Sequence, residues 1–255
     1  MTVSGPCKRS CNPFELMKLF HFLRALFIIP FALSLTLLVS LITLFATLVL
    51  RRGPTAVQGL AAWWASSICR ASGVEVAVSG TEQLNPEKPY IYAANHQSQF
   101  DILVLQGFLG IDFCWLAKKE LFRVPIWGPA MRRAGYIPID RSHGRQAIKS
   151  LDEAAQKIAA GTSVIIFPEG TRSKDGMLHD FKAGAMMLAI KSGVPIVPVA
   201  ILGTYEILPK GKLLLIPGKV QIRVGRPIET KNCSSKDKHA LARISHEAVA
   251  ELLNT

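Results

Sequence analysis

The sequence predicts an α/β fold: a mixed, largely parallel sheet flanked by helices, behind an N-terminal hydrophobic, membrane-associated helical segment. Three observations predict it. An uncharged apolar run fills Ala25–Leu50, short β-like runs alternate with helix-length segments from about Gly73 onward, and two of those runs end in polar turns. Strands that alternate with helices need crossover connections, which favour parallel pairing.

The elements follow in chain order. Polar and basic residues (Lys8, Arg9, Lys18, Arg24) precede the 26 uncharged residues Ala25–Leu50. At 1.5 Å per residue such a helix reaches roughly 39 Å, enough for a hydrocarbon core of about 30 Å with tilt. The run is too long for a signal peptide, and no small-residue cleavage site precedes Arg51-Arg52. Gly53-Pro54 breaks the pattern, and Thr55–Ala71 continues with Trp63 and Trp64, residues that favour the headgroup level. Basic residues flank both ends, so charge leaves two arrangements open: one crossing followed by an interfacial helix, or a hairpin that dips into one leaflet and returns. The hairpin is preferred, since it keeps both basic flanks on one side.

Beyond it, strands are expected at Val74–Val78, Tyr90–Ala94, Phe113–Leu116, Tyr136–Ile139, Val164–Phe167, Ile196–Leu202 and Val220–Val224. Helices are expected at 99–109, 145–160, 181–192 and 236–253, the second closed by Gly161. The division is thus 1–72, membrane-anchoring helices, and 73–255, the α/β domain.

A net charge of +12 and a pI near 9.7 call for an anionic partner. Hydrophobic content of 49% and a mean hydropathy of +0.28 argue for membrane contact and against a nucleic-acid module. Five cysteines (Cys7, Cys11, Cys69, Cys114, Cys233) lack metal-ligand spacing and read as free thiols in a reducing compartment. No metal site is expected.

The first polar turn, Asn95-His96-Gln97-Ser98-Gln99-Phe100-Asp101, separates His96 from Asp101 by five positions. On one helix they would stand roughly 140° apart, and along one strand about 17 Å apart. They meet only if His96 lies in the turn after a strand and Asp101 in the first turn of the next helix. Ser98 is then the expected N-cap, with Asp101 as a weak capping box. The carboxylate takes one imidazole proton and leaves the other nitrogen as a base toward a hydroxyl.

The second turn, Pro168-Glu169-Gly170-Thr171-Arg172-Ser173, follows Val164–Phe167. Arg172 offers a planar fork suited to phosphate, Thr171 and Ser173 add donors, and Gly170 permits close backbone approach. Glu169 would hold a ligand hydroxyl or orient Arg172. Ligand sites in open α/β sheets gather at the carboxyl ends of strands. Lys118-Lys119 and Asp140-Arg141 close two further strands and add a cationic rim. Gly193–Val199, with two prolines, reads as structural, lining an apolar channel.

In order, NHQSQFD, AKKELFRVPIWGPAMRRAGYIPIDR, FPEGTRS and VPIVPVAI resemble the four-block signature of the glycerolipid acyltransferases, closest to those acting on 1-acyl-sn-glycerol-3-phosphate. The resemblance spans roughly Val74 to Arg226. It implies that His96 is the general base, Asp101 its orienting partner, and Glu169, Gly170, Thr171 and Arg172 the binding block for the acceptor's glycerol-phosphate part. Lys118 and Arg141 fall at basic positions of the second block, Lys118 being the expected phosphate contact and Lys119 its rival. It also implies an acyl-CoA or acyl carrier protein co-substrate, no cofactor, membrane lipids as partners and no nucleic acid. The enzyme is expected on the cytoplasmic face of a membrane, the inner membrane in a bacterium. Ser98 could also carry an acyl group, though a cap is the simpler role.

Overall fold

The computed structural model describes residues 13–140, 144–211 and 215–255. Seven strands form one sheet in the order β1-β7-β6-β2-β5-β3-β4. The strands are β1 (Val74–Ser79), β2 (Ile91–Ala94), β3 (Cys114–Lys118), β4 (Ile137–Ile139), β5 (Val164–Ile166), β6 (Ile196–Leu202) and β7 (Gly218–Val224). Pairing is parallel throughout except between β6 and β7. The expected mixed, largely parallel sheet is present.

Central strands are buried on both faces, and alternation sorts their side chains into two layers. Tyr92, Ile165, Val197, Val199 and Ile201 face one core with α3 (Phe100–Phe108). Ile91, Val164, Ile166, Ile196 and Ala200 face the other, covered by α5 (Arg145–Ala159), α6 (Ala183–Ser192) and α8 (Lys238–Asn254). Pro198 sits inside β6, and the strand around it is solid core, with Ile196, Val197 and Val199 fully buried.

The N-terminal segment is one helix, α1 (Pro13–Leu48), and it continues through Pro30. A tight connection then leads into α2 (Gln58–Ala71). The two run antiparallel: the Trp64 indole donates to Thr36 Oγ1 at 3.0 Å, and Leu35, Val39 and Ile68 pack together. Ala25, Ile28, Leu35, Val39, Thr43 and Thr47 form a buried stripe at helical spacing. Ala25, Ile28 and Cys69 join the same core as Tyr92 and Val199. The opposite face of α1, including Phe22, Leu26, Phe27, Leu33 and Phe45, is exposed. Phe22–Leu48 is long and apolar enough to cross a membrane.

Two short helices were not expected from the sequence, α4 (Trp127–Arg133) and α7 (Thr204–Ile207). Ahead of α4 the chain makes a γ-turn: the Trp127 N–H donates to the Pro125 carbonyl at 2.7 Å across Ile126, whose φ is 66°. Such a conformation costs a β-branched residue about 1–3 kcal/mol.

Candidate active site

Because β6, β2, β5, β3 and β4 are successive parallel neighbours, their carboxyl ends share one edge of the sheet. His96 lies two residues past β2, and Glu169 three past the adjacent β5. The two turns are stitched together. The His96 N–H donates to Glu169 Oε1 at 2.7 Å, the Ser173 N–H donates to the His96 carbonyl at 2.7 Å, and the His179 N–H donates to Glu169 Oε2 at 3.2 Å. Glu169 is therefore the tie between the turns. Neither of its oxygens is hydrogen-bonded to Arg172.

His96 and Asp101 meet as their spacing requires. Asp101 is wholly buried in the first turn of α3, and its Oδ2 stands 2.7 Å from His96 Nδ1. The same oxygen accepts the N–H groups of Gln97 (2.6 Å) and Ser98 (2.8 Å), while Oδ1 accepts the Thr204 hydroxyl (2.5 Å). An acceptor-only carboxylate fixes the proton on Nδ1 and leaves the Nε2 lone pair free. The imidazole stacks on Phe167, with centroids 3.9 Å apart and planes 11° apart, and Phe167 stacks on Trp115. The Trp115 indole is anchored on Gln106 Oε1 at 2.7 Å. Ring plane and tautomer are thus both held, and the His96 side chain keeps 14% exposure.

The capping differs in detail from expectation. The helix begins at Phe100, one residue later than a Ser98 N-cap requires. Asp101 still reaches back to the Ser98 N–H, but the Ser98 hydroxyl accepts from Phe100 (3.2 Å) and donates to the Leu208 carbonyl (2.8 Å). Ser98 is fully buried and engaged both ways, which leaves an acyl–Ser98 role without support. Thr204 comes from the end of β6, where Gly203 at φ +91 turns the chain. A Cβ there would lie 2.2 Å from the Lys219 carbonyl.

Cations surround the second turn. Thr171 is exposed and Arg172 half-buried, and among the described residues the Arg172 guanidinium makes no hydrogen bond or ion pair. Gly170 has φ +78, and a Cβ on it would meet Lys182 Nζ at 2.7 Å, so the Lys182 side chain crosses the turn. Lys210 Nζ donates to the Arg172 carbonyl at 3.0 Å. Sequence reasoning missed Thr204, Lys182 and Lys210; each arrives through long-range folding, and no local spacing marks it. Lys118 ends β3 exposed, whereas Lys119 pairs with Asp140 at 2.5 Å. Arg141 lies outside the described residues. A cleft of about 490 Å³ opens beside the first turn, walled by Gln97, Leu202, Tyr205 and His246. No cluster of three metal-ligating side chains occurs among the described residues.

Burial raises the Glu169 carboxyl above its ordinary 4.5, outweighing the backbone N–H groups of His96 and His179 that favour its ionised form. A carboxyl with a raised folded pKa binds more protons folded than unfolded. Its contribution to stability is therefore greatest below about 4.5 and is lost as pH rises through the raised value. Glu169→Gln should flatten that decline, seen in melting temperatures followed from acid to neutral pH. An unchanged slope would refute the assignment.

A family profile described as Acyltransferase matches residues 75–202, 128 of the 255. A chloroplastic 1-acyl-sn-glycerol-3-phosphate acyltransferase of Brassica napus, BAT2, is 39% identical over 153 residues, covering 59% of this chain and 44% of that one. The Homo sapiens 1-acyl-sn-glycerol-3-phosphate acyltransferase alpha is 36% identical over 176 residues, covering 68% and 62%. The chain spans about half the length of its plant relatives. The crystal structure of the 1-acyl-sn-glycerophosphate acyltransferase PlsC from Thermotoga maritima superposes with a TM-score of 0.80 at 29% identity, over 93% of this chain and 97% of that one. The matched profile contains both strand-end turns and the His–Asp pair, and on that ground the chain belongs to the acyltransferase family.

Proposed function

We propose that the chain transfers an acyl group from an acyl thioester to the free hydroxyl of 1-acyl-sn-glycerol-3-phosphate, giving phosphatidate. The observation that carries this reading is His96, oriented by fully buried Asp101 and sewn through Glu169 to the Gly170–Arg172 turn. The acceptor's phosphate sits on Arg172 with Lys118 and turns its hydroxyl toward His96 Nε2. His96 removes the hydroxyl proton as the oxygen attacks the thioester carbonyl. The tetrahedral intermediate then collapses, the C–S bond breaks, and the thiolate takes the proton back from the imidazolium. Asp101 stabilises the imidazolium in between. The thioester already activates the acyl carbon, so the reaction asks for no cofactor beyond acyl-CoA or acyl carrier protein as donor.

We place the α1–α2 hairpin in one leaflet. The buried stripe of α1 is docked along the domain over most of its length. A crossing would drag α2, α4 and the arginines near them into hydrocarbon, at a cost of about 2.5 kcal/mol or more for each charge. Lying in the plane, α1 offers its exposed face to lipid, and residues 73–255 work on an amphiphile that need not leave the bilayer. The free thiols Cys69, Cys114 and Cys233 suit a cytoplasmic face.

The test crosses acyl-CoA and acyl carrier protein donors with lysophosphatidate and glycerol-3-phosphate. Transfer to lysophosphatidate is expected with at least one donor. Exclusive use of glycerol-3-phosphate would move the acceptor assignment, and no transfer from either donor would leave only a lipid-binding role. Arg172→Gln should raise KM for lysophosphatidate by about tenfold, the loss of one charge-assisted contact, and lower kcat less. An unchanged KM would remove Arg172 from the phosphate site.

A further inference from the structure

The loop Arg123–Trp127, between β3 and α4, takes no part in the chemistry above. Val124 and Ile126 are exposed apolar residues, and Pro125 between them is exposed too. Ile126 occupies the centre of the γ-turn. The turn is held from behind. The Gly128 N–H donates to the Val124 carbonyl at 2.8 Å, and a Cβ on Gly128 would lie 2.4 Å from the Phe122 carbonyl. A backbone constrained in this way to present a branched apolar side chain to solvent is a strained feature in search of a purpose. Arg123 and Arg133 are exposed beside it, and the Arg132 guanidinium lies 5.5 Å over the Phe122 ring.

The loop's position tells what covers it. Trp127 and Met131 line a crevice whose other wall is Thr36, Val39 and Thr43 of α1. The apolar tip therefore adjoins the helix whose outward face is already apolar.

We infer that this loop is a second membrane contact, inserting Val124 and Ile126 into the acyl-chain region of an anionic leaflet while Arg123, Arg132 and Arg133 meet headgroup phosphates. The inference rests on the reading of α1 as a membrane element. Lys118, five residues before Arg123, is thereby held at a fixed height over the lipid. Hydrophobic insertion and cationic attraction to anionic lipid add together in such contacts.

The experiment uses the full chain with Cys7, Cys11, Cys114 and Cys233 exchanged for serine and an environment-sensitive fluorophore on Ile126→Cys. Vesicles contain equal parts phosphatidylglycerol and phosphatidylcholine. The label is expected to shift to the blue and to be quenched by nitroxide-bearing acyl chains, while the same label on Lys238→Cys in α8 does neither. A label at 126 that stays in water while the protein sediments with the vesicles overturns the inference, whether or not any acyl transfer is observed. Equal insertion into wholly neutral vesicles overturns the role given to the arginines. Ile126→Gly supplies the second arm, since it removes the side chain and relieves the turn, so the melting temperature should not fall. Transfer to lysophosphatidate in vesicles should drop about tenfold, and transfer to a short-chain, monomeric lysophosphatidate should stay unchanged. Equal losses on both substrates would mark the loop as part of the active-site scaffold instead.

Discussion

His96→Ala should lose about 10²–10⁴ in kcat, the usual worth of a positioned general base, while the protein stays folded. The imidazole sits at a partly open turn, and its deletion removes one of four donors on Asp101. The Gln97 and Ser98 amides and the Thr204 hydroxyl still satisfy that carboxylate. Stacking on Phe167 is lost as well, an aromatic contact worth about 0.5–1.5 kcal/mol. KM for the acceptor should change little, because Arg172 and Lys118, the proposed phosphate contacts, are untouched. The measurement is kcat and KM with lysophosphatidate alongside a thermal melt. Undiminished turnover would remove His96 from the chemistry, and a collapsed melt would show that the ring is structural.

The His–Asp pair was legible because its spacing left one geometry in which the two could touch, and the fold adopts that geometry. The strand-end clustering was legible for a related reason: parallel strands send all their carboxyl ends to one edge, so two reactive turns on neighbouring strands had to meet. The role of Glu169 was not legible. Its partners are backbone amides of the His96 and His179 turns, and a backbone donor leaves no mark in a sequence. Thr204 reaches Asp101 across 103 positions, a contact that only the β6–β2 pairing creates. The helix α4 was hidden by Gly128-Pro129, a pair that reads as a turn, and α7 is a single turn too short for periodicity to register. The α1–α2 hairpin was half legible. The apolar run announced a long helix, but the polar-tinged stripe of Thr36, Ser40 and Thr43 only makes sense beside α2 and α4.

Asp101 is the residue at which catalysis and stability should separate, through two substitutions read together. In Asp101→Asn, an amide oxygen in the place of Oδ2 still accepts from His96 Nδ1, Gln97 and Ser98. The amide nitrogen then faces Thr204, whose hydroxyl can turn from donor to acceptor. Every buried polar group keeps a partner, so the fold should lose little. What goes is the negative charge beneath the imidazolium. Removing one member of a buried ion pair costs about 3–5 kcal/mol, which, felt only when His96 is protonated, corresponds to about 10²–10⁴ in kcat. Asp101→Ala should lose activity as fully and also strand two buried N–H groups and a hydroxyl, each costing about 1–3 kcal/mol. Melting temperatures should therefore rank wild type and Asn close together and Ala far below, while kcat ranks wild type alone above both. An Asn variant that turns over at the wild-type rate would mean that the carboxylate only caps α3, and His96 would then need another source of orientation.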